Sequence, residues 1–236
     1  MILNSVKIKL GSFNLDVEKL SVSGPGIYGL VGSNGSGKST LAKLMTGLLE
    51  PDSGGIDTEG LGIRDITWLG RKPYMMNDSV YNNLVYPLRL RKQELDPKLI
   101  AVYLERMGFS EKQNQKAKSL SSGEQQKLAF LRALIFKPRF VIADEAMTAL
   151  DIDSLDLFES MILEEQEKDP ITWIIISHQI PHIKRLCDHI FFMYQGRIEA
   201  EGKPGEIFSG AARETGGSAA DAHLRQYLRA YWGENG

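Results

Sequence analysis

Apolar and polar residues alternate along Val6-Lys7-Ile8-Lys9-Leu10 and along Phe13-Asn14-Leu15-Asp16-Val17. Successive side chains of a strand point to opposite faces, so this pattern predicts a half-exposed antiparallel pair. The turn cluster Ser23-Gly24-Pro25-Gly26 gives way to Ile27-Tyr28-Gly29-Leu30-Val31, a short apolar run suited to a strand covered on both faces. From Lys38 the period lengthens. Leu41, Leu44, Met45 and Leu48 recur at helical spacing until Pro51-Asp52-Ser53-Gly54-Gly55 ends the helix.

Residues 75–137 read as mostly helical, with helices over 97–107 and 124–136, the second stopped before Pro138. Two more buried-strand candidates follow, 140–143 and Thr172–Ile176, with a helix over 155–166 between them. Such alternation argues for a parallel α/β sheet. Residues 191–194, Gln195-Gly196 and 197–200 suggest a final hairpin, and 202–217 is rich in Gly, Ala and Ser. The expected plan is a single α/β domain over residues 1–236. Its core covers about 1–70 and 138–209, a helical insertion about 71–137, and a helical tail about 218–233. In that tail Leu224, Tyr227, Leu228, Tyr231 and Trp232 fall on one helical stripe, able to dock on the chain's own core or on a partner.

Composition narrows the class without naming a chemistry. With 236 residues, 42% of them hydrophobic and 25% charged, the chain matches an average globular protein. A net charge of −2 argues against a dedicated nucleic-acid binder. The single Cys187 excludes an intrachain disulfide framework, and four His offer no zinc spacing. The longest strongly apolar run, 171–176, falls far short of the roughly 20 residues that span a bilayer, and the opening Met-Ile-Leu-Asn-Ser-Val-Lys lacks the layout of a leader peptide. A cytoplasmic protein is expected.

The chemistry is in the motifs. Gly32-Ser33-Asn34-Gly35-Ser36-Gly37-Lys38-Ser39, followed by Thr40, fits G-x-x-x-x-G-K-[ST] between a buried strand and a helix. Glycines there let backbone N–H groups turn inward around phosphate oxygens, and the helix sets its positive end behind them. Lys38 would reach the β- and γ-phosphates and Ser39 would ligate Mg²⁺. Phe140-Val141-Ile142-Ala143-Asp144-Glu145 ends a buried strand in two acids, where α/β sheets bind ligands. Asp144 is expected in the Mg²⁺ shell and Glu145 beside a water in line with the γ-phosphate. His178 follows the next buried strand and would aim its imidazole at the same phosphate.

Leu120-Ser121-Ser122-Gly123-Glu124-Gln125-Gln126 resembles the L-S-G-G-Q signature of ABC ATPases. With the phosphate loop before it and the strand acids, Ala149-Leu150-Asp151 and His178 after it, the order is that family's across about residues 6–206. The resemblance implies a P-loop NTPase core with a mixed parallel sheet, N-terminal antiparallel strands and a helical insertion subdomain. It implies ATP and Mg²⁺ as ligands, and two cassettes paired head to tail. Ser121, Ser122, Gly123 and Glu124 would then serve the partner's ATP, Asp151 would join the two sites, and Glu145 would be the catalytic carboxylate. Read from the residues alone, Leu-Ser-Ser-Gly-Glu is equally a helix N-cap, and both readings can hold. The aromatic that stacks on adenine in the family lies upstream of the phosphate loop; Phe13 is the candidate, and its alternation with Leu15 also fits a core position.

Several positions depart from the family pattern. Arg71 stands at the usual Gln, Ser122 at the second signature glycine, Ala146 at a common Pro, and Gln179 at the usual acid after the His. A guanidinium cannot ligate a cation, though it can hold phosphate or a carboxylate. The expected function is the ATPase subunit of a membrane importer, with a separate permease chain as partner and membrane contact only through it. Met75-Met76-Asn77-Asp78-Ser79-Val80-Tyr81 and the stretch to Leu90 resemble the segment that meets a permease helix, or pack the insertion's own core. The resemblance leans towards a tungstate or molybdate cargo. Alternatives are a soluble ABC ATPase of assembly or repair, and a nucleotide-gated switch with little turnover, suggested by Arg71.

Overall fold

The computed structural model describes residues 1–148, 150–210 and 219–232. The alternating opening forms β1 (Ile2–Leu10) and β2 (Phe13–Ser21), paired antiparallel with Val6 opposite Val17 and Ile8 opposite Leu15. Leu3, Val6, Ile8, Leu15, Val17 and Leu20 are buried while Lys7, Lys9, Asn14 and Glu18 face solvent. The apolar run becomes β3 (Gly26–Val31), which enters the phosphate loop and then α1 (Lys38–Met45). Residues after α1 form β4 (Ser53–Asp57), which adds to the free edge of β1. The sequence reading has this stretch only as a helix end. With two glycines and almost no buried residue, β4 carries no periodic signal of its own; the β1 edge organises it.

β5 (Ile66–Gly70) leads into the helical part: α2 (Val80–Arg91), α3 (Pro97–Arg106) and α4 (Ser122–Leu134). β6 (Phe140–Asp144), α5 (Ile152–Lys168), β7 (Thr172–Ile176), α6 (Ile180–Leu186), β8 (His189–Tyr194), β9 (Arg197–Gly202), α7 (Pro204–Gly210) and α8 (Ala219–Trp232) complete the chain. The large sheet runs β5-β6-β7-β3-β8-β9, parallel except for β9, which returns antiparallel to β8. The α/β plan, the antiparallel opening and the closing hairpin are as the sequence predicts.

Both faces of this sheet are covered. Phe140, Ile142, Ile174 and Ile176 share a core with β1, β2 and α1, which places α1 between the two sheets. The alternate residues Val141, Ala143, Trp173 and Ile175 join the helices on the other side, where Phe130 of α4 stacks on Phe158 of α5 at 4.0 Å. Strands buried on both faces need apolar residues at every position, which explains why 140–143 and 172–176 read as unbroken runs.

Within 74–90 burial is divided between core and exposed positions. Met75, Val80, Leu84, Val85 and Leu88 are core, while Tyr74, Tyr86 and Leu90 remain exposed. The buried Asn83 amide hydrogen-bonds the Met76, Asp78 and Ser79 backbones and so fixes the turn into α2. Of the tail stripe, Leu224, Tyr227 and Leu228 are buried in the chain's own helical-side core and Tyr231 is more exposed, while the Trp232 side chain lies outside what is described. Among the described residues no helix is long and apolar enough to cross a membrane.

Candidate functional site

Register brings the motifs to one edge. Leu30 of β3 pairs with Ile176 of β7, and Ile176 pairs in turn with Asp144 of β6. The phosphate loop, Asp144-Glu145 and Ser177-His178 therefore all leave the sheet at the same carboxyl end, where open α/β sheets bind ligands.

The loop is built by close approach. A Cβ on Gly32 would sit 2.1 Å from the Met193 carbonyl oxygen of β8, so only glycine lets the chain cross there. Gly37, at φ 110°, caps α1 without a side chain, and the first-turn N–H groups face the loop's hollow. Lys38 curls back to donate to the Gly32 and Ser33 carbonyls at 2.8 and 2.9 Å. Burial pushes its ammonium down to about 8, against the opposing pull of Glu145 and Asp144. The Ser39 hydroxyl is hydrogen-bonded to the Asp144 carboxylate, whose acidity burial weakens.

Glu145 begins the turn after β6 at φ 50°, a left-handed conformation that a residue with a Cβ adopts at a cost of roughly 1–3 kcal/mol. Its amide donates to the Ile176 carbonyl at 2.9 Å, and its carbonyl accepts from the Thr148 hydroxyl at 2.9 Å, so both ends of the peptide are pinned. The carboxylate is shared. Oε1 lies 3.0 Å from His178 Nε2 and Oε2 lies 3.2 Å from Arg71 Nη1. Burial and the nearby Lys38 charge hold the His178 imidazole below its ordinary value despite Glu145. Phe13, Lys38, Ser39, Thr40 and Glu145 line one cleft of about 410 Å³ with Asn34 and Gly35. Phe13 stands at its mouth, its ring so near the loop that a Cβ on Gly37 would meet Cζ at 2.7 Å.

The signature segment lies on its own element. Ser121 caps α4 by accepting from the Glu124 amide, and the Glu124 carboxylate accepts from the Ser121 amide at 2.8 Å, a reciprocal capping box. Lys112 also pairs with Glu124, and these contacts hold the carboxyl down near 2. None of these bonds reaches the phosphate loop. Ser122 and Gly123 open α4, whose Gln126 reaches the Gly70 carbonyl at 3.3 Å and ties the helix to the end of β5. Asp151 caps α5 through the Ser154 amide at 2.8 Å and is otherwise exposed; Ala149 lies outside the described residues.

Two features of the site are absent from the motif reading. Arg71 is paired with Glu145, a contact that the basic residue at a usual Gln position hints at without naming the partner. The aromatic face of α8 reaches His178, with Tyr231 stacked on the imidazole at 4.8 Å. The tail's periodic stripe signals a docking helix but not its target. Among the described residues no cluster of three or more His, Cys, Asp or Glu is placed to hold a metal ion. One carboxylate beside one hydroxyl, as in Asp144 and Ser39, is the donor set of a cation that also borrows substrate phosphates, as Mg²⁺ does.

Known proteins resemble this chain in sequence and in fold. The family model described as ABC transporter matches residues 15–148. The chain is 36% identical over 200 residues to the tungstate uptake system ATP-binding protein of Peptoclostridium acidaminophilum, covering 81% of this chain and 93% of that one. It is 31% identical over 205 residues to a methionine import ATP-binding protein of Listeria monocytogenes, covering 80% of this chain but only 60% of that relative's length. A solved structure of the ATP binding subunit of an ABC transporter superposes with a TM-score of 0.81 at 21% identity, covering 96% and 98% of the two chains. A post-hydrolysis cassette dimer bound to ADP and phosphate superposes at 0.74 with 24% identity, over 86% and 99%. A strand-end phosphate loop, an acid pair and a histidine at one sheet edge thus coincide with a family match over more than half of the sequence: the chain belongs to the ABC transporter family, as one of its ATP-hydrolysing cassettes.

Proposed function

We propose that this cassette is the ATPase subunit of a membrane importer, working as half of a two-cassette unit beneath a separate permease chain. The observation that carries the catalytic part is the meeting of Lys38, Ser39, Asp144, Glu145 and His178 at one sheet edge. Lys38 and the first-turn N–H groups of α1 bind the β- and γ-phosphates, which keeps the Lys38 ammonium charged where burial alone would weaken it. The Glu145 carboxylate accepts the proton of the attacking water, and the neutral His178 imidazole, 3.0 Å from Oε1, donates towards the γ-phosphate. Phe13 at the mouth of the cleft supports the adenine ring. Ser39 and Asp144 would hold Mg²⁺, which when bound supplies charge neutralisation on the transferring phosphoryl group.

The signature residues Ser121 and Glu124 bond to each other and to Lys112, with no bond to the phosphate loop of their own chain, which supports the segment 121–124 serving the ATP of a second copy, with Asp151 at the seam between copies. On this reading residues 1–70 and 138–209 are the catalytic core and 71–137 the helical arm. The exposed Tyr74, Tyr86 and Leu90 of that arm suit a permease contact, through which the chain sits on the inner face of the membrane. Relatives named for tungstate uptake and methionine import support import, and the tungstate relative supports an oxyanion cargo.

The Arg71–Glu145 pair favours a second reading, a nucleotide-gated switch with little turnover. Brisk Mg²⁺-dependent ATP hydrolysis by the purified chain, abolished by Lys38→Ala, supports the ATPase motor and removes the switch. Failure to recover a permease on pull-down from detergent-solubilised membranes, with a soluble complex instead, would overturn the importer assignment.

A further inference from the structure

The side chain with the least obvious support in the site is His178. Among the described residues no group hydrogen-bonds its buried Nδ1, and Nε2, though 3.0 Å from Glu145 Oε1, lies outside the alignment of a good hydrogen bond. A functional imidazole is ordinarily oriented by a hydrogen bond to its second nitrogen. Here the orientation comes from an aromatic face. Tyr231 lies against the ring at 4.8 Å with planes only 18° apart, and Tyr227 flanks it at 6.5 Å, tilted by 48°.

Both tyrosines ride on α8, and α8 is firmly seated. Leu224, Tyr227 and Leu228 are buried in the core, Tyr227 packs on Phe192 at 5.6 Å, and its hydroxyl lies beside the Gly32 backbone. His223 stacks on Tyr194 at 3.8 Å and pairs with Glu199 at 2.7 Å. The helix thus braces the flank of the phosphate loop, leaving a cleft of about 420 Å³ between Ser33, Gly35, Tyr194 and Gln226. It lies wholly beyond the stretch matched by the family model.

We propose that Tyr231 is a positioning residue for His178: its ring sets the plane of the imidazole so that Nε2 stays turned towards Glu145 and the phosphate site. The inference rests on the assignment of His178 to hydrolysis. Offset-stacked pairs are worth enough to shift a rate by about two- to tenfold if the stack is needed in the transition state.

The test is steady-state Mg²⁺-ATP hydrolysis by the full chain bearing Tyr231→Ala, Tyr231→Phe, His178→Ala or both alanine changes. Tyr231→Ala is expected to lower kcat by about two- to tenfold with KM for ATP unchanged, while Tyr231→Phe, which keeps the ring, retains wild-type kcat. The double variant should be no slower than His178→Ala alone. In NMR spectra the His178 Hε1 resonance should move downfield in Tyr231→Ala as the ring current is lost, and stay in place in Tyr231→Phe. Unchanged or raised kcat in Tyr231→Ala, equal loss in both Tyr231 variants, or additive losses in the double variant would overturn the inference. If His178→Ala itself hydrolyses ATP normally, the assignment of His178 fails instead, and the NMR shift still reports whether Tyr231 sets the ring.

Discussion

Replacing Arg71 with Gln, the residue usual at that position in the family, probes what the Glu145 ion pair does to turnover. Nη1 lies 3.2 Å from Oε2, and at that separation two unit charges attract by about 1.3 kcal/mol in bulk water. The arginine side chain is 68% exposed, however, so solvent screening and side-chain entropy reduce the pair to roughly 0.2–1 kcal/mol. If Glu145 must be free to accept a proton from water, that attraction adds to the barrier. Arg71→Gln should then raise kcat by about 1.4- to fivefold with little change in KM. Arg71→Lys should stay close to wild type. Phosphate release would be followed across ATP concentrations at two ionic strengths. Added salt should speed the wild-type enzyme and leave Arg71→Gln flat, because only the former has a pair to screen. A fall in kcat on Arg71→Gln would refute the reasoning and show that the guanidinium assists the reaction.

Other outcomes follow from the same geometry. Ser121→Ala removes one half of the α4 capping box and should cost about 1 kcal/mol, lowering Tm by roughly 2–4 °C in thermal unfolding. Because the Lys112 pair and the Ser121 amide hold Glu124 well below an ordinary carboxyl, the stability its carboxylate adds is present above pH 4.5 and fades as the pH falls towards 2, in wild type and in Ser121→Ala alike, so both should lose Tm in acid by a similar amount. Gly37→Ala, whose Cβ would meet Phe13 Cζ at 2.7 Å and Met193 Cε at 2.9 Å at a positive φ, should weaken nucleotide binding by isothermal titration, as the loop shifts to relieve the clash. Cys187 is buried, with its thiol pushed far up, and should resist a thiol-specific reagent in native buffer and react once denaturant is added.

The parts of the fold that could be read in the sequence are those where one local segment carries its own pattern. Residues 140–143 of β6 and 173–176 of β7 are apolar at each position because both faces are covered, and Gly32 stands where the loop backbone crowds the Met193 carbonyl. β4 was not legible, since an exposed five-residue strand with two glycines is defined by the edge it pairs with. The phosphate loop, the acid pair and His178 were legible as separate motifs, and their meeting followed from the parallel order of the strands. The pairing of Arg71 with Glu145 and the docking of Tyr231 on His178 were not. Each joins residues far apart in the chain through side-chain directions that no spacing rule encodes. The apolar stripe of α8 announced a docking helix, and only the folded chain shows that it reaches the His178 ring and the flank of the phosphate loop.

On the proposed mechanism ATP is hydrolysed between two copies of this cassette, with the phosphate loop of one facing the signature of the other. Light scattering of Glu145→Gln at saturating ATP tests it most directly, since that variant keeps the shape of the carboxylate and loses its ability to take a proton. A stable species of twice the chain mass is expected, one that reverts when Lys38→Ala is added. A particle of single-chain mass at saturating ATP would contradict it.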